Sequence, residues 1–217
     1  MRKLIHGLVM LGLAAPSLAL AQDADKKVAG GGALPAGWDM RVDPKDASKP
    51  ALPKLATMGP GLHVTSGSAA IYWSAKDNVK GDYTVEGSFT QTKAPTHAEA
   101  YGLFIGGQSL KSPNQEYIYF IVRQDGKFMI KHRANDTDVH TLVPWTDNAA
   151  VVKADANGKA TNMLSIEVAG ENVRFLANGT EVHKGPKSSL GKTDGFAGIR
   201  VNHNLDVHID KFAAKQK

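Results

Sequence analysis

The chain contains no cysteine among its 217 residues. That absence excludes a disulfide framework, a cysteine nucleophile and the lipid anchor that a cysteine behind a leader would carry. Long apolar runs are also missing. Beyond the N-terminus nothing approaches the ~20 apolar residues that span a bilayer. Charge of one sign is scarce: the formal charge is +5, and it falls to +3 if Arg2 and Lys3 leave with a leader. The lysines are scattered among acids, so no stripe suited to nucleic acid is present. There is no phosphate-binding glycine loop and no G-x-S-x-G. After the first residues no segment carries a helical period.

The N-terminus has the layout of a secretory signal. Arg2 and Lys3 form a basic start, Leu4 to Leu13 is almost wholly apolar, Pro16 and Ser17 break the helix, and Ala19-Leu20-Ala21 offers small residues for cleavage. The run is too short for a membrane anchor. Residues 1–21 are therefore expected to be a signal peptide. Cleavage before Gln22 would leave about 196 of the 217 residues, in the periplasm or outside the cell, with no membrane anchor. Residues 22–33 read as a flexible leader. Residues 34–60 hold Pro35, Pro44, Pro50, Pro53 and Pro60. They are expected to lie extended and irregular against the domain, anchored by Trp38. The domain proper spans 61–217.

From Gly61 the pattern has period two. Tyr83, Val85 and Phe89 point one way, while Thr84, Glu86, Ser88 and Thr90 point the other, which marks a strand with one face buried. Glu116 to Arg123 is a strongly β-prone run. Asp125-Gly126 then turns the chain into Lys127 to Lys131 as a hairpin. Asn178-Gly179 joins two further runs, and this turn explains the Asn178 sequon better than a glycan does. About a dozen short strands joined by Gly, Asn and Asp turns imply an all-β sandwich or barrel.

The second half carries Leu164/Ile166/Val168, then Val173/Phe175/Asn178/Gly179, then Gly195/Gly198/Ile199/Arg200, and closes on Val207/Ile209/Asp210/Phe212. With Tyr101 to Phe104 and Tyr119 to Gly126, these runs resemble the concanavalin A-like lectin/glucanase superfamily over about residues 62–213. The resemblance implies a two-sheet antiparallel jelly-roll sandwich of the laminin-G-like kind. It does not choose a function, because the superfamily holds lectins, hydrolases, lyases and modules without a known ligand. No E-x-D-x-x-E or E-x-D-x-E strand of the glucanases is present, since Ser88 stands two residues after Glu86 and Ala169 two after Glu167. The arginine-rich and Q-[IV]-H strands of the alginate-lyase type are missing too. The 3-keto-disaccharide hydrolase-like family shares the general pattern, but its N-terminal glycine motif is absent. No catalytic residue is assigned.

The expected function is that of an exported, lectin-like carbohydrate-binding module, with a polysaccharide or other glycan bound on a polar and aromatic concave face. Arg200, Asn202, Asp206, His208 and Asp210 share one parity, and planar amide, carboxylate and guanidinium groups suit vicinal diols. The alternative is a polar outer face with an Asn-rich turn at 202–204. Tyr117, Tyr119 and Arg123 share a parity on one strand, where aromatic faces would stack on sugar rings. The alternative makes these tyrosines core residues. Trp145 is expected in a loop, as a platform or buried. The contact residues expected are thus Glu86, Tyr117, Tyr119, Arg123, Trp145, Arg200, Asn202 and His208. Lys131, His132 and Arg133 read as a solvated basic spot. No cofactor is expected other than a structural calcium, which the resemblance places at Asp210 on the closing strand. A zinc site at His203 and His208 suffers from their odd spacing. Two other functions stay open: a glycan-cleaving enzyme using two of Glu86, Glu99 and Glu116, and an interaction domain without a small ligand.

Overall fold

The computed structural model describes residues 33–46, 51–58 and 61–217. The expected signal peptide and almost all of the 22–33 leader lie outside the described residues. Fourteen strands form two antiparallel seven-stranded sheets, and the described residues contain no α-helix. The front sheet runs β1 (Trp38–Val42), β4 (Ala70–Val79), β13 (Gly195–Val201), β6 (Ala100–Gln108), β7 (Glu116–Arg123), β8 (Lys127–Arg133) and β9 (Val139–Asp147). The back sheet runs β12 (Thr180–Pro186), β11 (Asn172–Ala177), β10 (Ala160–Ala169), β5 (Tyr83–Gln91), β14 (Asp206–Gln216), β3 (Gly61–Thr65) and β2 (Lys54–Met58).

The alternation of apolar residues builds the layer between the sheets. Tyr83, Val85 and Phe89 of β5 and Leu164, Ile166 and Val168 of β10 meet Leu103 and Ile105 of β6 and Ile118, Phe120 and Val122 of β7. Each of these side chains is fully buried. A buried residue of this size contributes about 1.5–3 kcal/mol, so the chain needs no disulfide to hold its two layers together. The Asn178-Gly179 turn is of the primed type, with φ of 51° and 81°, the twist that joins antiparallel strands. The loop from β7 to β8 uses three residues, 124–126, rather than the two of the tightest hairpin, with Gly126 at φ 85°.

The described residues of the 34–60 segment are more regular than its prolines suggest. β1 edges the front sheet beside β4, and β2 edges the back sheet beside β3. Trp38 sets its ring edge-on to Phe212 of β14, 5.5 Å away, closing the gap between the layers. Trp145 also departs from expectation. It lies in the edge strand β9, next to Pro144, a residue that an edge tolerates because it has no N–H to pair.

At the start of β14 one carboxylate gathers four partners. Asp206 receives His63 at 2.7 Å, Thr65 at 3.2 Å, Thr92 at 2.6 Å and Lys93 at 2.9 Å. Burial pushes this carboxyl up, but the bonds from His63, Thr92 and Lys93 outweigh it and hold it far below the ordinary carboxylate range. A depressed carboxyl contributes stability that is present above its unfolded value, near 4, and is lost as pH falls through the folded value. Asp206→Asn should lower the unfolding free energy at neutral pH by about 1–3 kcal/mol. It should also flatten the loss of stability on acidification below pH ~4. Urea titrations at several pH values check this, and superimposable stability–pH curves for the two proteins would refute it.

Candidate functional site

The outer face of the front sheet is where polar chemistry collects. Strand register sets two rows across it. One row reads Arg41, Ile71, Arg200, Gly102, Ile121, Met129 from β1 to β8. The next reads Asp39, Trp73, Gly198, Phe104, Tyr119, Lys131. The glycines let the large side chains lie down. A Cβ at Gly102 would stand 2.1 Å from the Phe120 carbonyl oxygen, and one at Gly198 would stand 2.4 Å from the Phe104 ring. Ile71, Trp73, Phe104, Tyr117, Tyr119 and Ile121 consequently form a second buried cluster, apart from the core between the sheets.

A charged cluster is embedded in this layer. Asp43, just past β1, takes a two-pronged contact from Arg200, at 3.1 and 2.7 Å. Arg133 reaches the same carboxylate at 3.3 Å. The Tyr117 hydroxyl accepts from Arg133 at 3.0 Å and from Arg200 at 3.1 Å. All four side chains are buried. Burial pushes the Asp43 carboxyl up, but the guanidinium of Arg200, helped by Arg133 and Lys45, holds it below its ordinary value. Arg200 also lies over the Tyr119 ring, 4.8 Å from its centre.

Above this cluster opens a cavity of about 400 Å³. Its floor is Tyr119, Ile121 and Arg200, and Met129 and Lys131 form one side. Trp145 stands at the wall with the Arg123 guanidinium stacked on its ring at 4.5 Å. Asp125 neutralises that arginine through two hydrogen bonds. The far rim is Glu99, Asn202 and His203. Asn202 donates to Glu99 at 3.1 Å. Two buried polar atoms of the lining, Nε of Arg200 and Oδ1 of Asn202, have no hydrogen-bond partner. The lining carries five cationic side chains against two carboxylates. No carboxylate of the described residues pairs with Lys131. Burial, then repulsion from Arg200, Arg133 and Lys45, holds its ammonium below the ordinary lysine value.

No protein-family model matches the chain, and no curated protein matches it. Solved structures do. The carbohydrate-binding module CBM66 from Bacillus subtilis superposes with a TM-score of 0.58 at 12% identity, over 82% of this chain and 95% of that one. A GH16 protein from Bacteroides ovatus, solved with a product bound, gives a TM-score of 0.56 at 12% identity, over 81% and 94%. The carbohydrate recognition domain of Emp46p gives 0.50 at 12%, over 82% and 88%. The fold is the concanavalin A-like jelly roll.

The jelly roll brings six of the expected contact residues together. Tyr119, Arg123, Trp145, Arg200 and Asn202 line the cavity, and Tyr117 lies beneath it with its hydroxyl in the arginine cluster. The tyrosines are buried, yet on the outer face rather than between the sheets. Glu86 and His208 stand elsewhere. Both are on the back sheet, Glu86 paired with Lys215 and His208 stacked on His63. The parity row from Arg200 to Asp210 is cut because residues 202–205 carry the chain from β13 in one sheet to β14 in the other. Asp210 sits at a bulge of β14 and accepts the Lys211 amide at 2.8 Å. Among the described residues no cluster of further His, Asp or Glu side chains gathers about it.

Sequence reasoning missed Asp43, Lys131, Arg133 and His203 as parts of one site. Arg133 is only 6% exposed, so the basic run is not simply a solvated spot. Breaking a buried ion pair strands the remaining charge and costs about 3–5 kcal/mol. Asp43→Ala should therefore destabilise the protein by about that amount in denaturant unfolding. Tyr119→Phe should cost under about 1.5 kcal/mol. An Asp43→Ala protein as stable as the parent would show that the pair does not hold this face together.

Proposed function

We propose that this protein is an exported carbohydrate-binding domain whose front-sheet cavity takes an acidic sugar, one that carries a carboxylate. The observation that carries this reading is Lys131. It is half-buried beside an aromatic floor, faces three other cations and has no acidic partner among the described residues. A cation left uncompensated in such a place is a site for an anion. Tyr119 and Trp145 supply faces for the apolar side of a sugar ring. Arg200 Nε and Asn202 Oδ1 offer an unpaired donor and an unpaired acceptor for its hydroxyls. The cavity's volume suits one or two sugar residues, at the small end of ligand sites. Export rests on the signal-like N-terminus, and polysaccharides are met outside the cytoplasm. Two jelly-roll neighbours, a carbohydrate-binding module and a carbohydrate recognition domain, support the ligand class.

The three acids a glycan-cleaving reading relied on do not share a cleft. Glu86 pairs with Lys215 on the back sheet, Glu116 with Lys192 and His132 at the start of β7, and Glu99 stands at the cavity rim. Asp43, the other carboxylate of the lining, is held ionised by Arg200 and is poorly suited to give up a proton to a leaving group.

Oligosaccharides of hexuronic acid, their neutral counterparts and sulfated analogues, compared by calorimetry, test the proposal. The uronates should bind best. Lys131→Gln should weaken them about tenfold, the worth of one charge-assisted contact, and leave neutral sugars unchanged. Trp145→Ala should weaken both, whereas Glu86→Ala and His208→Ala should weaken neither. Equal binding of neutral and acidic sugars would overturn the acidic assignment, and a preference for sulfated ligands alone would replace it. Because the ammonium of Lys131 sits below the ordinary lysine value, uronate affinity should decline with rising pH before 10.5. In Lys131→Arg, which stays charged, that decline should vanish. A parent protein with the same alkaline profile as Lys131→Arg would rule out the lysine's part.

A further inference from the structure

At the opposite rim of the cavity, we propose that His97, Glu99 and His203 form a site for a divalent metal of the zinc class, with one coordination position open to the cavity. One ligand atom from each residue lies within 4.8 Å of the other two. His97 Nδ1 is 3.2 Å, and His203 Nε2 2.9 Å, from the same oxygen, Glu99 Oε1. Ligands about 2.0–2.1 Å from a tetrahedral ion lie about 3.3 Å from one another. Both imidazole–carboxylate separations are within a few tenths of an ångström of that spacing, and the two imidazole nitrogens, under 4.8 Å apart, close on a shared ion by side-chain rotation.

The local chain explains the convergence. His97 stands in a bend two residues ahead of Glu99, just before β6, and that bend turns its ring onto the Glu99 carboxylate. His203 comes from the 202–204 turn that follows β13, where Asn204 takes φ 56°. The two imidazole rings meet edge to face, at 62° with centres 5.1 Å apart, rather than stacked. Around them stands a ready outer shell. The Asn204 amide is 2.9 Å from His97 Nε2, and the Asn202 amide holds Glu99 Oε2. As placed, Asn204 Nδ2 donates to His97 Nε2; turning that amide over, so that its oxygen accepts instead, puts the imidazole proton on Nε2 and frees the Nδ1 lone pair for the metal. Two imidazoles with one carboxylate favour zinc or a neighbouring first-row ion over calcium, which prefers an all-oxygen shell. Three protein ligands leave a fourth position for water or a ligand oxygen. Glu99 and His203 line the cavity, so that position opens onto it. None of the three ligands is among the residues that carry the sugar reading, and the assignment does not depend on it.

Zinc titration of the untagged protein by calorimetry, with calcium as comparison, tests the site. One zinc per chain is expected, with calcium giving no comparable heat. His97→Ala, a change at a half-exposed side chain, should weaken zinc at least about tenfold, the loss typical of even an outer-shell partner. His203→Ala should do the same, with circular dichroism confirming the fold. His140→Ala, in the pair that stacks on His132, should leave the affinity unchanged. No zinc binding by the parent, undiminished binding in His97→Ala, or an equal loss in His140→Ala would overturn the assignment. Failure of every sugar to bind would leave this outcome untouched.

Discussion

One carboxylate and two guanidinium groups lie buried on the outer face of a β-sheet, and the rest of the front face is arranged around them. Asp43 belongs to the N-terminal edge and Arg200 to the strand before last, 157 residues later. Their two-pronged contact fastens the edge segment over the sheet, and Arg133 with the Tyr117 hydroxyl completes the cluster. Desolvating such a group is costly, and an apolar cluster of equal volume would serve stability as well or better. What it provides instead is a fixed geometry and an excess of positive charge under a cavity. The guanidinium of Arg200 is tied down on its two terminal nitrogens, so its Nε is presented in one place.

That excess shapes everything above it. Tyr119 is both the floor of the cavity and the face on which Arg200 lies, so aromatic surface and charge come from one stack. Lys131 joins the same row as Tyr119 through strand register. The opposite rim has different chemistry, with imidazole and carboxylate in place of ammonium and guanidinium. The cavity therefore has one side rich in ammonium and guanidinium and another of imidazole and carboxylate, each assembled from several stretches of chain.

Period-two reading was sound within single strands and failed between them. It separated the buried Tyr83, Val85 and Phe89 from the outward Thr84, Glu86 and Ser88, and it put Tyr117, Tyr119 and Arg123 on one face. Parity tells inside from outside, but not which of two sheets a strand joins. Glu86 and His208 were consequently read with residues on the far side of the molecule. The row from Arg200 to Asp210 failed for a related reason, because a turn exchanged sheets in the middle of it. Lys131 and Arg133 look like ordinary solvated bases in sequence. Only the approach of Asp43 and Arg200, both distant along the chain, buries them beside the neighbouring strand β9. The sequence reading passed over His97, because its partners Glu99 and His203 come together only where the 202–204 turn meets the start of β6.

Strand β7 is apolar on both sides. Ile118, Phe120 and Val122 face the inter-sheet core, while Tyr117, Tyr119 and Ile121 are buried on the other face. A slip of one residue would exchange the two sets and bury nearly as much apolar surface as before. Hydrophobicity alone is then a weak guard against misfolding at this strand. The guard is the Tyr117 hydroxyl. Displaced, it would leave two guanidinium donors without their acceptor and push its own oxygen into a dry core. The arginine cluster thus sets the register of β7 energetically, penalising a mispaired strand that the greasy residues would accept.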